Sequence, residues 1–389
     1  MRLFDHHPSP ARRNRIVTAV ALVVGLLFQV APAASEATDT PATHAYLIDT
    51  STGTVLLEKA ATEPMPPASM SKMMTVYMVF ERLKDGSLKL DETLPVSEKA
   101  WKKGGSKMFV EVGTRVSVGD LLRGIIVQSG NDACIVIAEG LAGSEEAFAQ
   151  RMTEKAREIG LEHSTFANAT GWPDPGHMMS ARDLAVLAER LRRDFPDYYE
   201  LFGEQEFTYH DITQRNRNPL LGRVPGVDGL KTGHTEASGY GLTAAAEREG
   251  RRLVLVVNGL ASERERARES ERLLEWGFRN FEAYSLIRKG EPVEHADVWL
   301  GAAATVPLVL EEDLAVTLDR GARSEMKVTV SFEGPVPAPI RQGEQVGVLR
   351  VEAPGTPTIE RPLLAGADVE RLGVVGRLGA AIRHLVLGT

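Results

Sequence analysis

The sequence predicts an α/β chain of the α+β kind, in which an antiparallel sheet with a helical insert precedes a small all-β domain and a C-terminal amphipathic helix. Three observations predict it. Strand-like runs at residues 43–59 and 227–258 bracket a block with helical periodicity. From about Ser285 to Leu364 the pattern changes to short runs separated by Gly and Pro, such as Lys327 to Phe332 and Gln345 to Val351. From Val369 to Leu387, Val375, Leu378, Ile382, Leu385 and Val386 share one arc at the helical period.

The chain has 389 residues, too many for one small domain. Its 53 acidic against 45 basic side chains give a net charge of -8, which argues against a general grip on nucleic acid. The one cysteine, Cys134, excludes an intrachain disulfide and a cysteine-rich zinc site. It reads as a buried, small apolar residue rather than a nucleophile.

At the N-terminus, Arg2, Arg12, Arg13 and Arg15 precede the apolar stretch Ile16 to Val30, and the small residues Ala31-Pro32-Ala33-Ala34 follow. This is the layout of a secretory signal over residues 1–34, with cleavage after Ala33 or Ala34. At the other end, residues 368–389 place Arg377, Arg383 and His384 away from the apolar arc. An in-plane seat on an anionic membrane surface is the expectation, hence an exported protein peripheral to the outer face of the cytoplasmic membrane.

Between the ends, residues 41–284 and 285–366 are read as two domains. Residues 43–59 form a hairpin around Ser51-Thr52-Gly53. A helix follows from about Ser69 to Lys84, with Met70, Met73, Met74, Tyr77 and Met78 as a core stripe and Gly86 as its stop. Further helices are expected at Val118 to Gln128, Ala133 to Gly140, Glu145 to Ile159 and Ala181 to Arg193, the last capped by Ser180 with Asp183. Strands at Gly229 to Lys231, Gly239 to Ala246 and Leu253 to Asn258 are covered by a helix from Arg264 to Asn280.

Three short patterns carry chemistry. Ser69-Met70-Ser71-Lys72 places a hydroxyl and an amine one helical turn apart, where a neutral amine can take the serine proton. Ser129-Gly130-Asn131 falls between two helices and turns two short polar side chains toward a cleft. Lys231-Thr232-Gly233-His234 follows a short strand, and its glycine leaves an edge open to another backbone. Each pattern alone is an ordinary cap, loop or strand end. Together, in this order and on these elements, they point to a penicilloyl-serine transferase fold shared with serine β-lactamases.

The stretches Pro66 to Thr75, Gly104 to Phe109, Asp120 to Ala133 and Gly229 to Thr235, with Arg266 to Ser270 and Trp276 to Arg279, resemble the serine D-alanyl-D-alanine carboxypeptidases. These are low-molecular-mass penicillin-binding proteins of the penicillin-binding protein 5 kind. One departure is Asn168-Ala-Thr-Gly-Trp172, where many relatives carry a histidine before the glycine. The resemblance implies removal of the terminal D-alanine from peptidoglycan stem peptides ending in D-Ala-D-Ala, through an acyl-serine. It also implies β-lactams as covalent inhibitors and no cofactor.

Carried over by motif, Ser69 is the nucleophile, Lys72 its base, and Ser129 the relay to the leaving amine. Asn131 holds the substrate amide and keeps Lys72 in place. Lys231, Thr232 and Arg266 take the substrate carboxylate beside Gly233, and backbone N–H groups of Ser69 and His234 hold the oxyanion. His44, His163, His177 and His210 show no metal-ligand spacing and read as structural or surface groups.

Two other functions share some of these features. A serine β-lactamase needs a Glu-x-x-Leu-Asn segment, whereas Glu162 is followed by His-Ser-Thr-Phe. A silent peptidoglycan-binding scaffold has no use for a nucleophile with its base.

Overall fold

The computed structural model describes residues 39–374 and 376. The expected secretory segment and most of the expected terminal helix lie outside the described residues. Among those described, no helix is long and apolar enough to cross a membrane.

The chain opens with the hairpin β1 (His44–Asp49) and β2 (Thr54–Lys59). A 3-10 turn, Ala68–Ser71, runs straight into α1 (Lys72–Lys84). The insert then supplies β3 (Thr93–Pro95), α2 (Glu98–Lys102), β4 (Arg115–Ser117), α3 (Val118–Ile126), α4 (Asn131–Ala142) and α5 (Glu145–Glu158). It continues with α6 (Ala181–Asp194), the single turn α7 (Pro196–Tyr199), and the hairpin β5 (Glu206–Tyr209) and β6 (Ile212–Arg215). The chain returns to the sheet through β7 (Val227–Thr235), β8 (Gly239–Arg248) and β9 (Arg251–Leu260), then leaves it along α8 (Glu263–Asn280).

The five strands lie in the order β2-β1-β9-β8-β7, all antiparallel, so chain-distant β1 and β9 pair at the centre. Alternation in β9 explains its unbroken apolar run. Leu253, Leu255 and Val257 face the core shared with Leu273 and Leu274 of α8, while Val254 and Val256 face the core of the helical insert. Helix α1 is buried on every side from Lys72 to Phe80, which confirms its methionines as packing residues. Serine caps set the starts of α2, α3, α5, α6 and α8: Ser97, Ser117, Ser144, Ser180 and Ser262 each accept the backbone N–H three residues on.

The β-rich domain follows as β10 (Phe281–Ile287), β11 (Glu294–Trp299), β12 (Thr305–Val309), β13 (Leu314–Asp319), β14 (Lys327–Phe332), β15 (Val336–Pro337), β16 (Gln345–Ala353) and β17 (Thr356–Ala365). Because β10 pairs with β13, the change of domain falls at Phe281, a few residues before the expected one. Val369 is buried and bridges Ile340, and Arg371 bridges Gly301, so the chain is still extended where the terminal helix was expected to begin.

Asp49 joins the two domains. Its fully buried carboxylate accepts from Arg251 Nε at 2.5 Å and from Thr317 Oγ1 of β13 at 2.8 Å. Thr317 also meets Thr52 Oγ1 at 2.8 Å.

Candidate active site

Ser69 sits in the 3-10 turn directly before α1, so the first residue of the helix, Lys72, falls one turn from it. The preceding Ala68 has φ +47, a left-handed conformation that non-glycine residues adopt only when the surroundings hold it. Ser71 Oγ donates to the Ala68 carbonyl at 3.0 Å and supplies part of that hold. The Lys72 side chain is fully buried, with Nζ 2.7 Å from Ser69 Oγ and donating to the Thr170 carbonyl at 2.5 Å.

Burial strips water from the Lys72 ammonium and lowers its pKa to about 8. Arg217 and Lys103 act in the same direction, while Cys134 and Asp132 oppose them. Near physiological pH a minority of Lys72, roughly a tenth to a fifth, is therefore neutral and able to take a proton, far more than for an ordinary lysine.

Ser129 closes the loop between α3 and α4 at φ +61, and its Oγ accepts from Lys231 Nζ at 3.0 Å. Asn131 opens α4. Its Nδ2 donates to the Gly104 carbonyl at 2.9 Å, and its backbone N–H to the Ser106 carbonyl at 2.7 Å. The neighbouring Asp132 carboxylate accepts from the backbone N–H groups of Met108, Phe109 and Val110 at 3.0, 2.9 and 3.2 Å. Residues 104–110 are thereby pinned as one wall of the site. The Asn131 amide is engaged with that wall, and the second bond of Lys72 goes to Thr170.

The third motif lies within β7, which continues to Thr235, instead of at a strand end. Its partner β8 pairs along the whole length, with Lys231 opposite Thr243 and Gly233 opposite Gly241. A Cβ on Gly233 would stand 2.8 Å from the Pro67 carbonyl and 3.2 Å from Ala68 Cβ. Glycine is what lets this edge lie against the nucleophile's turn. Lys231 is buried, and desolvation, aided by Lys72, Arg217 and Arg266, holds its pKa well below the usual lysine range. His234 is exposed and stacks on Tyr240, ring centres 3.8 Å apart. Arg266, from the first turns of α8, is 6% exposed and lies 5.8 Å from the Tyr240 ring, with its Nε buried and unpartnered.

These groups line a cleft of about 520 Å³ whose walls include Ser69, Ser129, Thr232, Gly233, His234 and Arg266. Lys72, Lys231 and Asn131 lie buried at its base through the bonds just given. A larger cavity of about 610 Å³, between Arg248, Phe278 and Arg320, belongs to the domain junction and holds no nucleophile.

The structure adds residues that spacing did not reveal. Arg217 lines the cleft and donates to Ser106 Oγ at 2.6 Å, and Glu263 lies beside Arg266. Ser106 falls within the Gly104 to Phe109 stretch; Arg217 lies in an irregular loop, with no periodicity to mark it. Asn218 ties that loop to β7 through Nδ2 to the Gly229 carbonyl at 2.8 Å. Cys134 is fully buried and its thiol is pushed up to about 12 by burial, as an inert packing residue should be. His177 is buried and lowered to about 4, also by burial. Among the described residues, no group of three or more His, Cys, Asp or Glu side chains is placed to hold a metal ion.

Comparison with known proteins agrees with this geometry. Residues 31–262 match the family model described as D-alanyl-D-alanine carboxypeptidase, and residues 281–371 match that of the penicillin-binding protein 5 C-terminal domain. The chain is 38% identical over 379 residues to the D-alanyl-D-alanine carboxypeptidase DacC of Escherichia coli, covering 94% of this chain and 95% of the relative. It superposes on penicillin-binding protein 5 from Haemophilus influenzae with a TM-score of 0.77 at 34% identity, covering 86% of this chain and 99% of that one. Penicillin-binding protein D2 from Listeria monocytogenes, in its ampicillin-bound form, matches 62% of this chain and 99% of its own with a TM-score of 0.57 at 29% identity. With a family model spanning more than half of its length and a relative this similar end to end, the chain belongs to the D-alanyl-D-alanine carboxypeptidase family.

Proposed function

We propose that Ser69 and Lys72 carry out the reaction of this family: the chain is a serine-type D-alanyl-D-alanine carboxypeptidase of cell-wall metabolism, and these two side chains form and break its acyl-enzyme. One observation carries the assignment of roles. A buried amine, its pKa lowered by desolvation to about 8, lies 2.7 Å from a hydroxyl at the edge of a cleft.

Ser69 Oγ attacks the carbonyl carbon of the penultimate D-alanine while its proton passes to Lys72 Nζ. The oxyanion is held by the backbone N–H groups of Ser69 and His234, a donor of this kind contributing about 3 kcal/mol at the transition state. As the C–N bond breaks, Lys72 gives that proton up through Ser129, which Lys231 hydrogen-bonds, to the departing D-alanine amine and is neutral again. Water then attacks the ester, Lys72 accepts its proton and returns it to Ser69 Oγ as the acyl C–O bond breaks, and the shortened peptide leaves with a new carboxyl group. Arg266, with Thr232, offers a cation and a hydroxyl to the free carboxylate of the terminal D-alanine, which favours action at chain ends.

A β-lactam amide presents the same carbonyl, and the ampicillin-bound Listeria relative supports penicillin as a covalent probe. Mass spectrometry of penicillin-treated protein should give one adduct on Ser69 and none in Ser69→Ala. An adduct elsewhere, or none, would overturn the assignment, and rapid release of the adduct would favour the β-lactamase alternative.

Export, with peripheral attachment through the terminal segment, completes the reading. The basic, apolar-faced sequence beyond the β-rich domain supports it. Deleting residues 375–389 leaves the bridged Val369 and Arg371 intact and should release the protein from the membrane fraction. Retention there would remove this part.

A further inference from the structure

The segment Asn168-Ala-Thr-Gly-Trp172 finds a use in the geometry around the base. Asn168 Oδ1 accepts four hydrogen bonds: from the backbone N–H groups of Thr170, Gly171 and Trp172 at 3.1, 2.9 and 3.0 Å, and from Thr170 Oγ1 at 2.9 Å. Its Nδ2 donates to the Trp172 carbonyl at 3.0 Å. One side chain thus organises the whole turn.

The turn is anchored on both sides of that hub. Thr75 Oγ1, one turn along α1 from Lys72, donates to the Ala169 carbonyl at 2.7 Å. Gly171, at φ +77, lies so close to the nucleophile's turn that a Cβ would fall 2.0 Å from the Ala68 carbonyl. Between these anchors the Thr170 carbonyl is aimed at Lys72 Nζ.

We propose, resting on the role given to Lys72 above, that Asn168 is a positioning residue for the base, acting through the Thr170 carbonyl. A carbonyl oxygen can only accept, so it fixes one N–H of the neutral amine and turns the lone pair toward the Ser69 proton. Once Lys72 has taken that proton, the same oxygen stabilises the ammonium. Thr170 Oγ1 adds the fourth donor to the Asn168 hub.

Other charges also set the protonation of Lys72. Lys231 faces it from β7, Arg217 from the β6–β7 loop, Lys103 from the wall loop, Asp132 and Cys134 from α4, and His177 from beyond the turn. Asn168 bonds none of them directly, but Trp172, which it holds, lies under Lys103 Nζ at 4.7 Å, and the adjacent Ala167 N–H donates to His177 Nδ1 at 3.3 Å. A shift in pH dependence that persists in a Lys103→Gln background therefore reports on the carbonyl.

The test is the rate constant for acylation of the full chain by a fluorescent penicillin, per mole of protein that forms adduct, between about pH 6 and 10. Asn168→Ala should lower the high-pH plateau about tenfold and, by removing an acceptor from the ammonium, move the midpoint down by about half a pH unit. Asn168→Asp keeps the four acceptor bonds; it should recover the plateau to within about threefold and, through its added charge, move the midpoint up.

An unchanged plateau and midpoint in Asn168→Ala would overturn the proposal. So would fewer competent molecules with unchanged kinetics, the result of a merely structural role. If Asn168→Ala fails to fold, Thr170→Val, which removes one of the four donors, should show the same two shifts at about a third of the size, and normal kinetics there would overturn it. A wild-type protein that forms no Ser69 adduct would instead show that the parent assignment is wrong.

Discussion

Lys231 reaches from strand β7 to donate to Ser129 Oγ at 3.0 Å, so the strand edge and the interhelical loop meet beneath the cleft. Two of the three sequence motifs are therefore joined in one hydrogen-bonded unit. Losing either side chain leaves the other buried without that partner.

Arg266 is placed to recognise a carboxylate, and its removal should be selective. Arg266→Ala should lower kcat/KM for a peptide ending in D-Ala-D-Ala by more than about tenfold. For an ester substrate whose leaving group carries no carboxylate, the loss should stay below about threefold. Equal losses on both substrates would take Arg266 out of carboxylate recognition.

Arg217 tunes the base from a distance. Its guanidinium disfavours the charged form of Lys72, so Arg217→Gln should raise the pKa of the amine from its value of about 8 and move the acylation profile to higher pH. Because Arg217 is exposed, the shift should amount to about a few tenths of a unit at low ionic strength and shrink in about 1 M salt. A shift to lower pH, or one insensitive to salt, would contradict this account.

Gly233→Ala tests the clearance between β7 and the nucleophile. The added methyl would press on the Pro67 carbonyl at 2.8 Å, and backbone must move to admit it. Acylation should slow by more than about tenfold, with a melting temperature lowered by only about 4–8 °C. Normal acylation would show that the two elements can separate without consequence.

The Asp49 node predicts a stability effect without a catalytic one. Thr317→Val removes one donor from a fully buried carboxylate and should cost about 1–3 kcal/mol. Asp49→Asn also strips the charge partner of Arg251 and should cost more, about 3–5 kcal/mol. Denaturant titration measures both, while acylation per competent molecule should match the parent. The reverse ranking would show that the ion pair adds little.

Much of this was legible in the chain. The hairpin, the methionine-lined helix and the Ser180 cap of α6 follow from local spacing, and the three motifs from short patterns on recognisable elements. What escaped depends on tertiary placement. Arg217 reaches Ser106 only because Asn218 fastens its loop to β7. Thr170 contributes a main-chain oxygen, which no residue type announces. The extension of β7 to Thr235 was hidden because Lys231 and Thr232 look solvent-facing in sequence and become buried only under the 3-10 turn. The domain boundary at Phe281 depends on pairing with β13, more than thirty residues later.

Ala68, beside Ser69, and Ser129 hold left-handed backbone on two sides of the cleft, and packing of rigid elements enforces both. Such a pocket is set like a die before anything enters it. A floppy chain must freeze its own rotors to conform, whereas a fused bicyclic ring of matching outline arrives already stiff and forfeits little entropy. The feature that readies the serine for its peptide is thus also what exposes it to rigid impostors.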